Sequence, residues 1–208
     1  IRIPSILLAK KAGEKLIEFL ESKDKAIKNI QIIYDFMIPK NEYVNYNLWL
    51  SSGNIQSFRF MRAWKEYQNI LDKTATMEIH FSHFSTSTGN PNDPNLENCI
   101  CGGKYCAADP DGDLPNTGAD VIMEDLRQLC LIRTYASEVW WHYLFAYEDT
   151  CIYGGDMKAC SERILRDIGV DPNDVEACVK DSFDIYDTKR CKQNSLLDDE
   201  KNIMTREG

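Results

Sequence analysis

The sequence predicts a mixed protein of the α+β or α/β class, with a β-α-β-β-α-β core followed by a helical segment that carries the cysteines. Three observations lead to this prediction. Apolar runs of strand length alternate with apolar stripes of helical spacing as far as residue 84. Beyond residue 118 the patterns are helical. All eight cysteines lie at or after Cys99.

The first elements precede residue 51. Residues 1–9 are typical of a buried strand, and residues 10–23 place their apolar side chains on one helical stripe. Two further runs of strand type follow at 30–37 and 43–50. The second of these runs alternates apolar with polar residues, which indicates one buried and one polar face.

The β-α-β pattern continues beyond a turn signal at residues 51–54, which read SSGN. Residues 55–73 repeat aromatic and aliphatic side chains at helical spacing, and residues 76–84 alternate again as a strand. Residues 85–98 contain glycine, two prolines and many small polar side chains. We expect that last segment to be a loop without regular structure.

Four helices are expected in the cysteine-bearing segment. Amphipathic or aromatic-rich patterns predict the first three at 119–135, 138–149 and 156–168. The fourth opens at Asp171-Pro172, where an N-cap residue precedes proline at the first helical position. Residues 192–208 are polar, and we expect them to form a loose helix or tail.

Composition excludes two classes of partner. The chain has 24 basic and 33 acidic residues and a formal charge of −9, which repels nucleic acid and anionic membrane surfaces. No apolar run approaches the roughly 20 residues that a membrane span needs. The chain begins at Ile1 inside a predicted strand, so we interpret it as an internal or processed fragment.

Residues 99 to 178 carry a series of motifs in a fixed order. A pair of cysteines precedes an acidic run, and then come a Leu-Arg-Gln-x-Cys helix, a Trp-Trp-x-Tyr motif and three more cysteines. The residues are Cys99, Cys106, Asp109 to Asp113, Leu126, Arg127, Gln128, Cys130, Trp140, Trp141, Tyr143, Cys151, Cys160 and Cys178. This series resembles the central luminal region of plant-type vacuolar sorting receptors.

The resemblance also implies a domain organisation. Residues 1–29 look like the last strand and helix of the protease-associated domain that precedes this region in the family. Residues 30–98 are then the β-α-β thioredoxin-like part, residues 99–191 a cysteine-rich helical insertion and residues 192–208 a polar tail. The expected fold is therefore a thioredoxin-like core with a helical, disulfide-bearing insertion.

The resemblance implies disulfides for all the cysteines, as in an oxidising lumen. Six match family positions, and the two that do not, Cys101 and Cys191, are expected to pair with each other. The other expected pairs are Cys99–Cys106, Cys151–Cys160 and Cys130–Cys178. The family often has a cysteine pair between residues 51 and 60, which this chain lacks. Catalysis by disulfide exchange is therefore disfavoured.

Two residue patterns suggest a metal site, one for zinc and one for calcium, and each has a structural alternative. His80 and His83 with nearby cysteines suggest zinc, but a spacing of three on a strand places the histidines on opposite faces. Calcium is the better candidate, because carboxylates recur at alternate positions and at the twelfth position. The residues are Asp109, Asp111, Asp113 and Asp120. The favoured alternative is that they cap turns and the following helix, and otherwise no cofactor is expected.

Aromatic residues provide the candidate ligand surface, which consists of Trp140, Trp141 and Tyr143. They belong to a cluster of five aromatic residues that also includes Phe145 and Tyr147. Helical spacing of Trp140, Leu144 and Tyr147 favours core packing for at least half of this cluster. No Ser-His-Asp, paired-carboxylate or phosphate-loop signature is present, so no hydrolase or kinase function is indicated.

The predicted function is that of a non-catalytic luminal binding module in a receptor that sorts soluble cargo to the vacuole. The alternatives are a structural subunit of a secreted or cell-surface assembly and, third, a disulfide oxidoreductase. Expected partners are protein or peptide cargo or neighbouring subunits, with no nucleic acid. The expected location is the secretory-pathway lumen or the cell surface. Membrane attachment would come through a segment absent from this chain, since the parent protein is expected to be a single-pass membrane protein.

Overall fold

A computed structural model of the chain describes residues 10–21, 43–71, 73–86, 94–110 and 115–207. The chain divides into two compact units, Ile1–Lys40 and Asn41–Gly208. In the first unit the structure describes α1 (Lys10–Glu21), as the helical stripe predicts. The strands expected at 1–9 and 30–37 lie outside the described residues.

The second unit begins with a parallel β-α-β element. Strands β1 (Val44–Leu50) and β2 (Ala75–Phe81) pair in parallel, and α2 (Ile55–Leu71) connects them. Parallel neighbours need such a crossover because the end of the first strand and the start of the second lie at opposite ends of the sheet. The apolar side of α2 contributes Phe58 and Met61 to the hydrophobic core. The carboxyl ends of both strands therefore point to the same side of the unit.

The chain then forms a small antiparallel extension. Strands β3 (Cys99–Ile100) and β4 (Tyr105–Cys106) pair with each other across a 3₁₀ turn at Cys101–Gly103. Phe84, three residues beyond β2, forms a bridge with Cys106 through two backbone hydrogen bonds of 3.0 and 2.8 Å. This bridge joins the extension to the end of β2.

Five helices complete the unit: α3 (Gly118–Thr134), α4 (Ser137–Thr150), α5 (Met157–Asp167), α6 (Pro172–Asp181) and α7 (Ser195–Glu207). Their starts are capped locally. Thr117 and Asp120 form a capping box on α3, Asp156 caps α5, and Asp171 caps α6 ahead of Pro172. Ser195 N–H donates to Ser182 O at 2.8 Å, which fixes the start of α7 beside the end of α6.

Helix α3 is the central element of the helical part. It packs against the four other helices, β2 and the β3–β4 hairpin, and eleven of its seventeen residues are buried. Within the described part of the chain, no helix is long and apolar enough to cross a membrane. The unit is thus organised around one buried helix.

The predicted class is confirmed: an α+β core with a disulfide-bearing helical part. Two local predictions are partly wrong. The loose helix or tail expected at 192–208 does contain a helix, α7, but this helix is packed and not loose, because it buries Leu196, Leu197 and Glu200 against the rest of the unit. Part of the loop predicted at 85–98 is regular, since Pro94–Asn98 forms a 3₁₀ helix.

Candidate functional site

The turn at the carboxyl end of β1 is the first candidate. Residues 51–54 connect β1 to α2, and Asn54 caps the helix by accepting a hydrogen bond from Gln56 N–H at 2.9 Å. Asn54 N–H in turn donates to Ser51 O at 3.1 Å. Gly53 packs against α3, because a Cβ at this position would lie 2.7 Å from Cγ2 of Val121. The tight approach requires glycine here.

A buried polar cluster supports this turn from α3. Ser52 N–H donates to Oδ1 of Asp125 at 2.9 Å, and the amide of Gln128 donates to Oγ of Ser52 at 3.0 Å. The indole N–H of Trp140 donates to Oε1 of Gln128 at 3.1 Å. All four residues are buried. The cluster therefore ties the turn to α3 and α4 through long-range hydrogen bonds.

Asp125 carries the titratable carboxyl group of this cluster. Burial raises the pKa of its carboxyl group well above the ordinary value. The hydrogen bonds from Ser52 oppose this rise only in part, and the nearby charges of Glu124 and Glu200 add to it. Oδ2 of Asp125 has no hydrogen-bond partner among the described residues. The folded protein therefore keeps a proton on Asp125 to a higher pH than the unfolded chain does.

Because the pKa of Asp125 is raised, folding binds a proton that the unfolded chain releases. Its contribution to stability is present below the unfolded pKa of about 3.9 and is lost as the pH rises through the folded pKa. We expect Asp125→Asn to stabilise the protein at pH 8, by about 1.4 kcal/mol for each unit of pKa elevation. The gain should shrink as the pH falls toward 4.

Thermal melts of both proteins between pH 4 and 8 measure this effect, at about 2–4 °C per kcal/mol for a chain of this size. Burial lowers the pKa of His83, so titration of this residue changes stability with pH in the opposite direction. Because His83 is present in both proteins, its effect cancels when their melting temperatures are subtracted. Glu66→Gln, at an exposed carboxyl on α2, is the matched control and should follow the wild type at every pH. A constant difference between Asp125→Asn and wild type would contradict the prediction.

A second buried cluster involves Tyr143. Its hydroxyl bonds to the carboxylate of Glu124 and lies 2.5 Å from Oγ of Ser161, while Arg127 donates to Glu124 at 2.7 Å. Burial raises the pKa of Glu124, against the opposing effects of Arg127 and Tyr143. Tyr143 is fully buried, so its prediction as part of a ligand surface is wrong. The residue joins α3, α4 and α5 in the core.

Trp140 and Trp141 are also buried, but both line a groove of about 360 Å³. We call it the tryptophan groove. Its walls come from α2, β2, α3, α4 and α7, and its lining residues are Gln68, Met77, Glu78, Ile79, His80, Leu129, Ile132, Arg133, Ser137, Trp140, Trp141, Glu200 and Ile203. The tryptophans thus supply walls of a concave site.

One wall of this groove carries a buried carboxylate, that of Glu200. Oε2 of Glu200 accepts from Phe81 N–H at 3.0 Å and lies 3.0 Å from Nδ1 of His80. The His80 ring stacks on Trp49 with centroids 4.8 Å apart. Burial raises the pKa of Glu200, which His80 and the Phe81 N–H oppose. This contact joins α7 to the end of β2.

A second groove, of about 450 Å³, lies at the turn itself. We call it the turn groove. It is lined by Ser51, Gly53, Asn54, Ile55, Ser82, Phe84, Ala107, Ala108, Asp109 and Pro110. Its lining mixes small polar side chains with a few apolar ones, and it contains no cysteine. The position is the carboxyl end of two parallel strands, where ligands commonly bind in α/β sheets.

The proposed calcium ligands are placed only in part. Asp109 lines the turn groove, whereas Asp111 and Asp113 lie outside the described residues. Oδ2 of Asp120 accepts from both N–H and the hydroxyl of Thr117 at 2.8 Å, so its carboxylate caps α3. The described residues contain no group of three or more metal-binding side chains. Calcium binding at these residues stays the less favoured alternative to the capping role.

Four disulfides use all eight cysteines: Cys99–Cys106, Cys101–Cys191, Cys130–Cys178 and Cys151–Cys160. These are the four pairs expected from the sequence. Cys130–Cys178 joins α3 to α6, and Cys101–Cys191 joins the β3–β4 hairpin to the segment that precedes α7. None of the eight cysteines is a free thiol.

The fold and its grooves define a disulfide-bonded α+β domain with concave surfaces and no free thiol. The family model of the vacuolar sorting receptor thioredoxin-like domain matches residues 44–208. The chain belongs to this family. The resemblance noted from the motifs after Cys99 is thereby confirmed, and it extends back to the start of β1.

Relatives give the same result. Vacuolar-sorting receptor 1 of Pisum sativum is 28% identical over 227 aligned residues, covering 100% of this chain and 35% of the receptor. Vacuolar-sorting receptors 4 and 3 of Arabidopsis thaliana are 28% and 27% identical, over 87% of this chain and 31% of each receptor. The chain thus spans about a third of the length of these relatives.

Sequence reasoning missed several residues of these sites, chiefly Asp125, Gln128 and Glu200. The signal that could have indicated them is weak: polar residues at helix positions that an amphipathic pattern assigns to the apolar side. Glu200 belongs to a segment that was assigned to a polar tail. Its partners, His80 and Phe81, are about 120 positions away in the sequence.

Proposed function

We propose that this chain is a non-catalytic luminal binding module of a receptor that sorts soluble proteins to the vacuole. The observation that carries the proposal is the turn groove, an open site at the carboxyl ends of β1 and β2 whose turn reads SSGN. A disulfide oxidoreductase needs a thiolate as its nucleophile. Every cysteine of this chain is held in a disulfide, and none lies at the turn.

The lining of the turn groove suits a peptide. Ile55, Phe84 and Pro110 offer apolar surface, while Ser51 and Ser82 add hydroxyl groups that can donate to or accept from a ligand backbone. Phe84 is about half exposed, so its ring is available for contact. The names of the relatives support a receptor role, and the expected ligand is the sorting peptide of a soluble vacuolar protein.

Surface plasmon resonance with the immobilised chain tests the proposal. The probe is a fluorescent protein fused to a vacuolar sorting peptide, and the control is the same fusion with the peptide scrambled. We expect the intact peptide to bind at least tenfold more tightly, which corresponds to about 1.4 kcal/mol. Insulin reduction by the same preparation should stay at background. Equal binding of both fusions would contradict the receptor role, and insulin turnover would contradict the non-catalytic assignment.

An exposed aromatic face on α2 supports the second candidate, a structural subunit of a surface assembly. Phe60 and Trp64 stack with centroids 5.6 Å apart, and Tyr67 continues the row at 6.4 Å from Trp64. Phe60 and Tyr67 are about half exposed, and Ile70 is exposed still more. Apolar patches of this kind mark interaction surfaces. Stoichiometric recovery of the parent protein in a large complex would favour this candidate.

A further inference from the structure

One edge of strand β2 pairs with β1, and the opposite edge points away from β1. The hydrogen bonds show which residues direct their backbone groups to each edge. Val44 N–H donates to Thr74 O and Ser82 N–H donates to Leu50 O, both at 2.9 Å. In a parallel ladder the bonding residues recur at every second position. The even-numbered residues of β2 therefore face β1, and the odd-numbered residues direct their backbone N–H and C=O groups to the opposite edge.

The contact at Phe81 agrees with this parity. Its N–H points away from β1 and donates to Glu200 at 3.0 Å. Met77 and Ile79 have the same parity, and no other strand pairs with this edge among the described residues. Their backbone groups have no hydrogen-bond partner in the part of the chain that the structure describes. An edge with unpaired N–H and C=O groups is a template for a further strand.

The tryptophan groove lies along this edge. Four consecutive residues of β2, from Met77 to His80, line it, although neighbouring side chains of a strand point to opposite faces. The groove therefore follows the edge of the strand and not one face of the sheet. Its volume of about 360 Å³ matches a few side chains and not a large cofactor.

The chemistry of the lining indicates what fits. Leu129, Ile132 and Ile203 provide apolar wall, and Trp141 contributes an indole N–H that is buried and has no acceptor among the described residues. An acceptor supplied by a ligand would satisfy this donor. Beside this wall Glu78 is an exposed carboxylate that lies 3.7 Å from Nε2 of His80, and His80 is shared with the carboxylate of Glu200. The guanidinium of Arg133 pairs with Asp199 at 3.1 Å. The charge left beside the wall is negative.

We propose that an extended peptide segment of a partner protein binds here by adding a strand to the edge of β2 that no described strand covers. Its backbone bonds to Met77 and Ile79, its large apolar side chains enter the tryptophan groove, and its alternate basic side chains face Glu78. Strand addition obtains affinity from main-chain hydrogen bonds and specificity from pockets for alternate side chains. The inference rests on the binding role proposed above, but it uses a site separate from the turn groove.

Peptide binding to the full chain tests the proposal. The probe is acetyl-Ser-Lys-Leu-Lys-Ile-Lys-Ser-amide with a fluorescent label, followed by anisotropy. The comparison peptide is N-methylated at its five central residues, which keeps the side chains but removes the backbone donors. We expect micromolar binding of the first peptide and at least tenfold weaker binding of the second. Hydrogen exchange at the amides of Met77 and Ile79 should slow when the first peptide binds.

Matched proline variants locate the site. Ile79→Pro removes an N–H that faces away from β1, so the β1–β2 ladder keeps its bonds while the peptide loses a donor. Asn45→Pro makes the same change on the outer edge of β1, where Asn45 is exposed, and should leave binding unchanged. Ser137→Trp fills the mouth of the groove from an exposed position. We expect Ile79→Pro and Ser137→Trp each to weaken binding at least tenfold without loss of cooperative melting.

Several outcomes would overturn the proposal. Equal binding of the N-methylated peptide would mean that no strand is added. Protection of the Met77 and Ile79 amides in the free monomer would mean that this chain covers its own edge. A dimer that Ile79→Pro dissociates would mean that a second copy occupies it. If the sorting-peptide fusion binds normally while this peptide does not bind, the receptor role stands and the edge site alone is wrong.

Discussion

Replacing both Cys101 and Cys191 with serine is expected to lower the free energy of unfolding by about 4–5 kcal/mol. The bridge closes a loop with a sequence separation of 90, and in the chain-entropy model a loop of this length restricts the unfolded chain by that amount. For a chain of this size the melting temperature should fall by about 8–20 °C, at 2–4 °C per kcal/mol. Urea titration of the double variant measures the loss.

The matched control is the double serine variant at Cys151 and Cys160. This bridge has a sequence separation of 9, for which the same model gives about 2.5–3 kcal/mol. The long bridge should therefore cost nearly twice as much to remove as the short one. Equal losses from the two variants would show that loop length does not determine the stabilisation. A larger loss from the short bridge would contradict the prediction outright.

The native state gives a local reason for a large effect at Cys101. Its φ of 52° lies in the left-handed region, which residues other than glycine rarely adopt. Its N–H donates to Thr188 O at 2.7 Å, so the hairpin turn and the segment before α7 are held together by a hydrogen bond as well as by the disulfide. Loss of the disulfide leaves this conformation supported by the hydrogen bond and packing alone.

The order of elements could be predicted because it depends on local patterns. The alternation at 43–50 gave β1, the helical stripe after residue 55 gave α2, and the Asp171-Pro172 cap gave the start of α6. Caps and periodicity involve neighbours within a few positions. Such features survive in a single sequence, and the boundaries of β1, α2 and α6 agree with the structure within a few residues.

The candidate sites could be predicted only in part, because their contacts are long-range. Glu124, Asp125, Arg127 and Gln128 are all buried on α3, although an amphipathic pattern assigns polar side chains to solvent. Three of them bond to partners from other elements: Ser52 for Asp125, Tyr143 for Glu124, and Ser52 and Trp140 for Gln128. Arg127 bonds to Glu124 within α3. Burial on every side of α3 removes the polar face that the pattern assumes.

The roles of Trp140 and Trp141 could also be predicted only in part. The sequence indicated that Trp140 and Trp141 matter, but helical spacing alone did not distinguish core packing from groove lining. The distinction depends on β2 and α7, which meet α4 only in the folded chain. Tyr143, only two positions beyond Trp141, is instead directed into the buried cluster around Glu124.

The second large effect is expected at Gly118, the first residue of α3. A Cβ built here would lie 2.2 Å from the backbone oxygen of Ala107 and 2.8 Å from that of Asn98. Both neighbours are main-chain atoms of residues that hydrogen bonds tie together: Gly118 N–H donates to Oδ1 of Asn98 at 2.7 Å, and Ala107 N–H donates to Asn98 O at 3.1 Å. A shift of Asn98 or Ala107 that makes room for the methyl group would strain these bonds.

Gly118→Ala should therefore lower the free energy of unfolding by about 3 kcal/mol or more, at or above the upper end of the usual range for overpacking. The melting temperature should fall by at least about 6 °C. The loss comes from displacing the start of α3, on which the buried clusters of Asp125 and Glu124 depend. The near-ultraviolet circular dichroism of the aromatic core should change along with stability.

Gly13→Ala is the matched control for Gly118→Ala. Gly13 lies within α1, and a Cβ there would meet no atom of the described residues within 4 Å. Alanine is favoured over glycine in a helix by roughly 0.5–1 kcal/mol, so this variant should be as stable as the wild type or slightly more so. The two substitutions add the same methyl group, and only the space around it differs. If both variants melt at the wild-type temperature, α3 does not approach Ala107 as closely as the structure has it.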